Sequence, residues 1–470
     1  MNRKKHIHFV GIKGVGMTPL AIIAKEAGFI VTGSDIVDTF ITSEILEKVG
    51  ITPFAGFDAS HIEGADLVIT TGAHGGFDNV ETKAAKEKGL MVWTQGQAVG
   101  EFMSGNLFKR SYEGISVTGT HGKTTTTAML ATIFSHAKLD PSYIIGTSFI
   151  PSLGLPGHFG KGRNFIAEAD EYVTEPNYDK TIKYLWQHPS TIILTSIELD
   201  HPDIYASVDD MRNAFLQFAN NLPVNGLLIV CGDDPQIQQL LREYRRKAIT
   251  YGFSPKNDYV IKRVTGSEGN MFFHLFSKEV ELGEFMLKVF GQHNSLDATA
   301  AIIAALESGL RIDQIKKALM TFSGSKRRSE LVKTLKSGAI LYDDYAHHPT
   351  EIKNTLEAFR DNFPKHRIVT VFQPHTYSRT KELYNDFVRS FQDTDTIILT
   401  DIYPSLREQP DPNVSSQKLA LDIAKSHKNC IYLSSLDDVV EYIDKNAYKK
   451  DTIIITMGAG DVYKISEKLQ

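Results

Sequence analysis

The run Val117-Thr118-Gly119-Thr120-His121-Gly122-Lys123-Thr124-Thr125-Thr126-Thr127 holds the densest set of residues that could do chemistry. It follows Gly114-Ile115-Ser116, which with Val117 reads as a short buried strand, and it leads into Ala128-Met129-Leu130-Ala131, which reads as a helix. Strand, glycine turn, Gly-Lys-Thr and helix is the context a phosphate loop needs. Backbone N–H groups and the helix N-terminus cradle phosphates, the lysine neutralises them, and the threonine hydroxyl reaches a magnesium ion. In the common form of the loop a glycine stands where this chain has Val117. Here the first glycine is Gly119, so the loop is two residues tighter. The expected ligand is a nucleoside triphosphate held by Gly119, Thr120, His121, Gly122, Lys123, Thr124 and Thr125.

Further polar clusters fall where inferred strands end. Glu168-Ala169-Asp170-Glu171 follows Asn164-Phe165-Ile166-Ala167, and Glu198-Leu199-Asp200-His201 follows Thr191–Thr195. Residues just past strand C-termini of a parallel sheet face the ligand crevice. Glu168 and His201 beside the loop threonine therefore suggest a Mg²⁺ and γ-phosphate site. His293-Asn294 opens an Ala-rich helix, and Lys326-Arg327-Arg328 follows it; arginines suit a polyanionic ligand. The segment Asp343-Asp344-Tyr345-Ala346-His347-His348-Pro349-Thr350-Glu351 could suggest a transition metal. Adjacent histidines rarely point the same way, however, and no zinc spacing supports them.

The elements that would position these groups alternate between strands and helices, the pattern of parallel α/β sheets. His6–Val10 opens a first unit, followed by Gly11-Ile12-Lys13-Gly14-Val15-Gly16, a helix through Leu20–Ala24, a strand Phe29–Thr32 and then Asp35. This is nucleotide-binding βαβ grammar, but the G-x-x-G-x-G spacing does not make a nicotinamide cofactor the default. Leu67–Thr70 adds a strand, and a boundary is expected between Met103 and Tyr112. A second unit should run from the phosphate loop to about Phe322, with strands at Asn164–Ala167, Thr191–Thr195 and Gly226–Val230. A third should begin near Gly324, with strands at Ala339–Tyr342, Arg367–Phe372, Thr396–Thr400 and Thr452–Thr456. The expected bounds are 1–108, 109–323 and 324–470.

Composition is consistent with this plan. A chain of 470 residues is too long for one core and suggests about three domains. A net charge of −5 and a pI near 6.4 argue against a general nucleic-acid binder or a protein drawn to anionic membranes. Cys231 and Cys430 show no pairing pattern, which suggests a reducing compartment. The start Met1-Asn2-Arg3-Lys4-Lys5 resembles the charged end of a signal peptide, but Lys13 interrupts the apolar run and no small-residue cleavage site follows. No apolar run approaches a membrane span. The expected location is the cytoplasm.

Taken together, Thr118–Thr125, Glu168–Glu171, Asp200-His201, His293-Asn294, Arg327-Arg328, Asp343–Glu351, Gln373–Thr380 and the ending Gly458-Ala459-Gly460-Asp461 resemble the Mur ligases, in the same order and over nearly the whole chain. The resemblance implies a three-domain α/β architecture: an N-terminal Rossmann-like unit for the UDP-sugar, a central phosphate-loop ATPase-like sheet and a C-terminal Rossmann-like unit. It implies an ATP- and Mg²⁺-dependent acid–amino-acid ligase of peptidoglycan precursor synthesis, a monomer or homodimer. The favoured activity joins L-alanine to UDP-N-acetylmuramate through an acyl phosphate; the alternative joins the preformed tripeptide L-Ala-γ-D-Glu-meso-diaminopimelate to the same sugar nucleotide. The segments Glu168–Tyr172 and Glu198–Ile204 look more like the tripeptide enzymes, and Gly11–Met17, Phe372–His375 and the ending look more like the alanine enzymes.

Carried over by position, Lys123 would hold the ATP phosphates, and Thr124, Glu168 and His201 would serve Mg²⁺. Asn294, Arg327 and Asp344 would contact the nucleotide. Gly14, Gly16 and Asp35 would lie against the UDP moiety, with Arg328 also on substrate and Tyr345, His348 and Arg379 near the amino acid. The chain departs from the pattern at Thr376, where the alanine enzymes carry a first arginine ahead of Arg379, and at Ser329, where a phenylalanine is usual. An oxidoreductase would leave Gly119–Thr124 idle, and a regulatory NTPase would not explain the C-terminal His and Arg clusters.

Overall fold

A computed structural model describes residues 3–267, 269–404, 408–446 and 448–469. Met1 and Asn2, which begin the basic N-terminus, lie outside these. The chain builds three large sheets in succession, with a two-stranded antiparallel ribbon of Val173–Glu175 and Asp179–Ile182, and the strands expected from the sequence are present. In the first sheet five strands, all parallel, run in the order Phe54–Ala55, Ile30–Asp35, His6–Val10, Leu67–Thr70, Met91–Thr94. Every residue of His6–Val10 is buried, as expected of a central parallel strand covered on both faces.

The second sheet has ten strands. The strand Glu113–Thr118 lies between Asn164–Glu168 and Thr191–Leu194, in parallel to both. Register sets Val117 opposite Glu168 and Thr118 opposite Leu194, so the phosphate loop leaves the sheet between Glu168 and Thr195. Three strands at one end, Tyr259–Ser267, Asn270–Ser277 and Val280–Leu287, form an antiparallel meander that the alternating β/α pattern did not anticipate. Their own signature is a period of two: Met271, Phe273 and Leu275 are buried while Phe272 and His274 are less so. A sheet with one covered face requires that alternation.

The helix Lys123–His136 carries the phosphate loop on its first turn. Ala128, Met129, Leu130, Ala131, Ile133 and Phe134 are all fully buried, so the helix is enclosed on every side. It packs against the Ala-rich helix Gln292–Glu307, whose small Ala300, Ala301 and Ala304 permit close approach. Truncating Phe134 to alanine in such a site costs about 3–5 kcal/mol. The third sheet has six strands, five of them parallel, with Glu330–Thr334 antiparallel on the edge beside Ile340–Asp344. Asp344 ends its strand opposite Met457, which brings the Asp343–Glu351 segment to the C-terminal edge of that sheet.

The contacts between sheets differ in kind. Leu20, Ala21, Phe102 and Met103 share one apolar cluster with Ile144, Phe165 and Ala167, so the first and second sheets are joined by a dry core. A Cβ on Gly100 would stand 2.1 Å from the carbonyl oxygen of Trp186, which shows how close the two backbones come. The third sheet meets the second through Phe290, packed edge-on against Phe359 at 4.9 Å, and through polar contacts that include His121–Glu351 at the phosphate loop and Arg379–Asp200 away from it. Among the described residues no helix is long and apolar enough to cross a membrane. We propose the unit bounds 1–108, 109–323 and 324–470, because each sheet lies within one of them.

Candidate nucleotide and amine sites

Gly119 and Gly122 take φ of 123° and 81°, conformations that side chains disfavour. Space closes the case at Gly119, where a Cβ would lie 2.3 Å from Thr195 Oγ1. Gly122 caps the helix Lys123–His136 without any side-chain hydrogen bond to the helix start. The first N–H groups of that helix are therefore offered to an anion. Lys123 Nζ donates to Gly119 O at 2.6 Å and to Glu171 Oε1 at 2.8 Å. Burial opposes its charge, but the Glu171 carboxylate outweighs burial and raises its pKa, so the ammonium stays charged.

Thr124 Oγ1 donates to Glu168 Oε2 at 3.1 Å, and Gly146 N–H donates to Glu168 Oε1 at 2.6 Å. Burial raises the Glu168 pKa, so a cation beside it would be welcome. His201, at φ 58°, is grouped with different carboxylates. Its Nε2 lies 3.7 Å from Glu171 Oε1 and 3.6 Å from Asp200 Oδ2. Of the expected trio, Thr124 and Glu168 touch, while His201 Nε2 lies beside Glu171, whose Oε1 also holds Lys123. Glu171 Oε2 is buried with no hydrogen-bond partner. Hydroxyl and carboxylate oxygens with one unsatisfied acceptor fit a hard divalent cation such as Mg²⁺.

A cavity of about 470 Å³ opens from the loop between the second and third sheets. Thr124, Thr125, Asn294, Arg328 and Asp344 line it. Asn294 is fixed by donating to Phe290 O at 2.7 Å. Asp344 accepts from the N–H groups of Ser329 (2.6 Å) and Ala346 (2.8 Å), and from the Ser329 hydroxyl at 3.1 Å. Ser329, which departs from the family pattern, here secures that carboxylate.

Arg327 is a correction to the sequence expectation. Its guanidinium does not line the cavity. It donates to Asp343 Oδ2 at 2.8 Å, to Gly460 O at 3.2 Å and to Gly458 O at 2.6 Å, and the residue is only 4% exposed. The reason is backbone geometry. Arg327 and Ser329 take φ of 60° and 46°, which turns alternate side chains of the arginine pair in opposite directions. Arg328 faces the cavity and Arg327 knits the third sheet together.

The two adjacent histidines also part. His347 Nδ1 lies 3.2 Å from Glu351 Oε2. His348 packs its ring 4.9 Å from that of His121, and its Nε2 is buried without a partner. Burial and the His121 charge hold His348 below its ordinary pKa. His121, of the phosphate loop, reaches Glu198 Oε2 at 2.8 Å and Glu351 Oε1 at 3.3 Å. Burial opposes its charge, but the two carboxylates raise its pKa to about 10. Thr350 Oγ1 donates to Glu198 Oε1 at 2.6 Å, so both sheets contribute to one network.

A second cavity of about 490 Å³ draws on all three units. Gly72–Gly75 come from the first, Tyr172, Lys180 and His201 from the second, and Thr376, Ser378, Arg379 and Glu408 from the third. Arg379 is committed within the protein: its Nε and Nη2 both donate to Asp200 Oδ1, at 2.9 and 2.7 Å. Thr376 caps the turn Tyr377–Glu382 at φ 67°. The Glu408 carboxylate accepts from Tyr377 N–H at 2.7 Å and from the Ser378 hydroxyl. Gly14, Gly16 and Asp35 sit at the C-terminal edge of the first sheet, outside both cavities. Asp35 is 1% exposed; it accepts from Lys13 N–H at 2.7 Å and orders the glycine turn. Tyr345 stacks under both Arg327 and Arg328, each 5.2 Å from its ring centre.

Several residues of these sites were not legible in the sequence. Glu171, Glu198, Asp200 and Glu351 were visible only as members of acidic segments. His74 of the Gly72–Gly75 turn and Glu408 carried no motif. Asp297 stands three residues after Asn294 in the Ala-rich helix, and that spacing was the available signal.

Phosphate loop, buried cations and a cleft closed by a third sheet define a nucleotide-dependent enzyme of several α/β units. Residues 6–106 match the Mur ligase family catalytic domain, residues 117–305 the Mur ligase middle domain, and residues 327–460 the Mur ligase glutamate ligase domain. A UDP-N-acetylmuramate–L-alanine ligase of Acetivibrio thermocellus is 40% identical over 469 residues, covering 99% of this chain and 96% of that protein. The crystal structure of a UDP-N-acetylmuramate-alanine ligase from Thermotoga maritima superposes with a TM-score of 0.82 at 27% identity, over 99% of this chain and 98% of the other. A murein peptide ligase from Psychrobacter arcticus shares the fold, with a TM-score of 0.72 at 24% identity over 99% and 98% of the two chains. The chain belongs to the Mur ligase family.

Proposed function

We propose that the chain joins L-alanine to UDP-N-acetylmuramate at the expense of ATP, in peptidoglycan precursor synthesis in the cytoplasm. What carries this is the 40% identity over 99% of the chain to a ligase of that name. Lys123 and the N–H groups of the phosphate loop hold the ATP phosphates. Thr124 and Glu168, with His201 and the free oxygen of Glu171, would hold Mg²⁺, which neutralises phosphate charge when bound. Asn294, Asp344 and Arg328 receive the nucleoside part of ATP, and Gly14, Gly16 and Asp35 form the turn nearest the UDP moiety.

A carboxylate oxygen of the sugar's lactyl group attacks the γ-phosphorus. The new C–O–P bond forms as the β–γ bridging bond breaks, giving an acyl phosphate and ADP. The amino acid then loses a proton from its ammonium to solvent. The free amine attacks the acyl carbon, and the tetrahedral intermediate expels phosphate to leave the amide. No protein nucleophile is required; positioning and charge neutralisation carry the transfer. The acyl phosphate must be kept from water, which the third sheet does by closing on the loop through Glu351 and Thr350.

The test is phosphate release from ATP with UDP-N-acetylmuramate and a panel of amines. Turnover with L-alanine supports the proposal. Turnover only with L-Ala-γ-D-Glu-meso-diaminopimelate overturns it in favour of tripeptide ligation.

A further inference from the structure

His293, Asn294 and Asp297 fall at i, i+1 and i+4 on the Ala-rich helix Gln292–Glu307, so Asp297 shares a face with the two residues that open it. All three line the 470 Å³ cavity beside the phosphate loop. Asp297 is 7% exposed and lies directly against the loop, where a Cβ on Gly122 would stand 2.3 Å from its Oδ1. An ionised carboxylate is a poor neighbour for phosphates. A helix N-terminus, Lys123 and an uncapped loop all collect negative charge at this spot, and a further anion among them works against the ligand.

The groups around Asp297 do not supply a counter-ion. His121 on the loop and Arg328 on the third unit favour its charge, yet their ion pairs are made with Glu198 and Glu351. Tyr251 and Asp234 face the same cavity from the second sheet and its flanking helix, and neither is cationic. On the adjoining helix its neighbour is the Thr126 hydroxyl, and on its own helix His293, which burial holds neutral with a pKa of about 4.

We propose that Asp297 is a nucleotide-binding residue that works as a neutral carboxylic acid, donating a hydrogen bond to a phosphate oxygen of the bound nucleotide. This rests on the ATP-dependent reaction proposed above. Burial pushes the Asp297 pKa up to about 7, so the neutral form is well populated near neutrality. A bound polyanion pushes it higher, so binding takes up a proton above that point. A carboxylic acid kept neutral by its surroundings makes a strong donor towards an anion.

The measurement is ADP binding by isothermal titration calorimetry from pH 7.5 to 9, where ADP itself is fully ionised, without divalent cations and in buffers of different ionisation heat. Wild type should take up close to one proton per ADP, and its Kd should rise by roughly tenfold per pH unit above the free-protein pKa. Asp297→Asn keeps a donor and cannot titrate, so its Kd should stay flat over that range and its proton uptake should vanish. Equal pH dependence in both proteins overturns the proposal. So does a flat wild-type Kd with at least tenfold weaker binding by the variant, since the carboxylate would then act as an ion. The buffer-dependent heat of wild type decides the matter even if the variant fails to fold. No ADP binding by wild type at any pH overturns the nucleotide site itself, and this assignment with it.

Discussion

Arg379 and Asp200, 179 residues apart, form a buried ion pair in which one carboxylate oxygen accepts from both Nε and Nη2 at 2.9 and 2.7 Å. Asp200 belongs to the second unit and Arg379 to the third, so this pair is one of the fastenings between them. The guanidinium and the neighbouring His201 hold the Asp200 carboxyl well below its usual range, against the opposing effect of burial. Removing one member of a buried pair leaves the other charge stranded, at about 3–5 kcal/mol. Asp200→Ala and Arg379→Ala should each lower the thermal midpoint sharply, and the double variant should lose much less than their sum. Strict additivity in that cycle would mean the pair carries no coupling.

Lys123 should be indispensable to phosphoryl transfer. A cation lost from such a site costs on the order of 3–4 kcal/mol, so Lys123→Ala should lose roughly 10²–10³ in rate. Its removal also leaves Glu171 without its 2.8 Å partner. Near-wild-type phosphate release would refute the role.

Glu168 should govern the dependence on divalent cation. Its contact with Thr124 at 3.1 Å places a carboxylate beside the loop hydroxyl. Glu168→Ala should raise the Mg²⁺ concentration needed for half-maximal rate while leaving the circular dichroism spectrum intact. An unchanged Mg²⁺ titration with full activity would reduce Glu168 to a structural acceptor for Gly146.

The amino-acid side follows from Thr376. With Thr376 in place of an arginine, Arg379 is the guanidinium that the second cavity offers an α-carboxylate, with Lys180 on the facing unit. One guanidinium instead of two weakens its hold by about 1.5–3 kcal/mol. L-Alanine should be the best single amino acid with a raised KM, glycine and L-serine close behind. Thr376→Arg should lower that KM at nearly constant kcat. A changed kcat with constant KM would contradict this.

His121 sets a pH window. Its pKa is raised from 6.5 to about 10, and that of Glu198 is lowered from 4.5 to about 2. The raised base contributes stability in full below pH 6.5 and loses it as pH climbs through about 10; the lowered acid contributes in full above pH 4.5 and loses it as pH falls through about 2. Their contact is complete between those limits and wanes on the alkaline side. Thermal midpoints of wild type should therefore fall more steeply between pH 6.5 and 10 than those of His121→Asn. Parallel slopes would count against the contact.

The order of strands and the placement of the motifs were legible because they are local. A buried parallel strand such as His6–Val10 declares itself by an unbroken apolar run, and Gly119–Thr124 by strand, glycine and helix in sequence. The antiparallel meander Tyr259–Leu287 was missed because a period of two is short and a parallel reading of the rest absorbed it. The partners of buried charges were not local. Arg327 and Arg328 are adjacent in sequence, and only the left-handed turn between Gly324 and Glu330 decides which one faces the cavity. The neighbours of His201 are equally non-local: its Nε2 lies beside Glu171, thirty residues back, as well as its own neighbour Asp200. Asp297 is set against Gly122 only by the packing of its helix on Lys123–His136. Periodicity and glycine turns fix what each segment becomes; the pairing of a buried charge depends on which distant segment supplies the counter-charge, and that is settled only when the sheets close on one another.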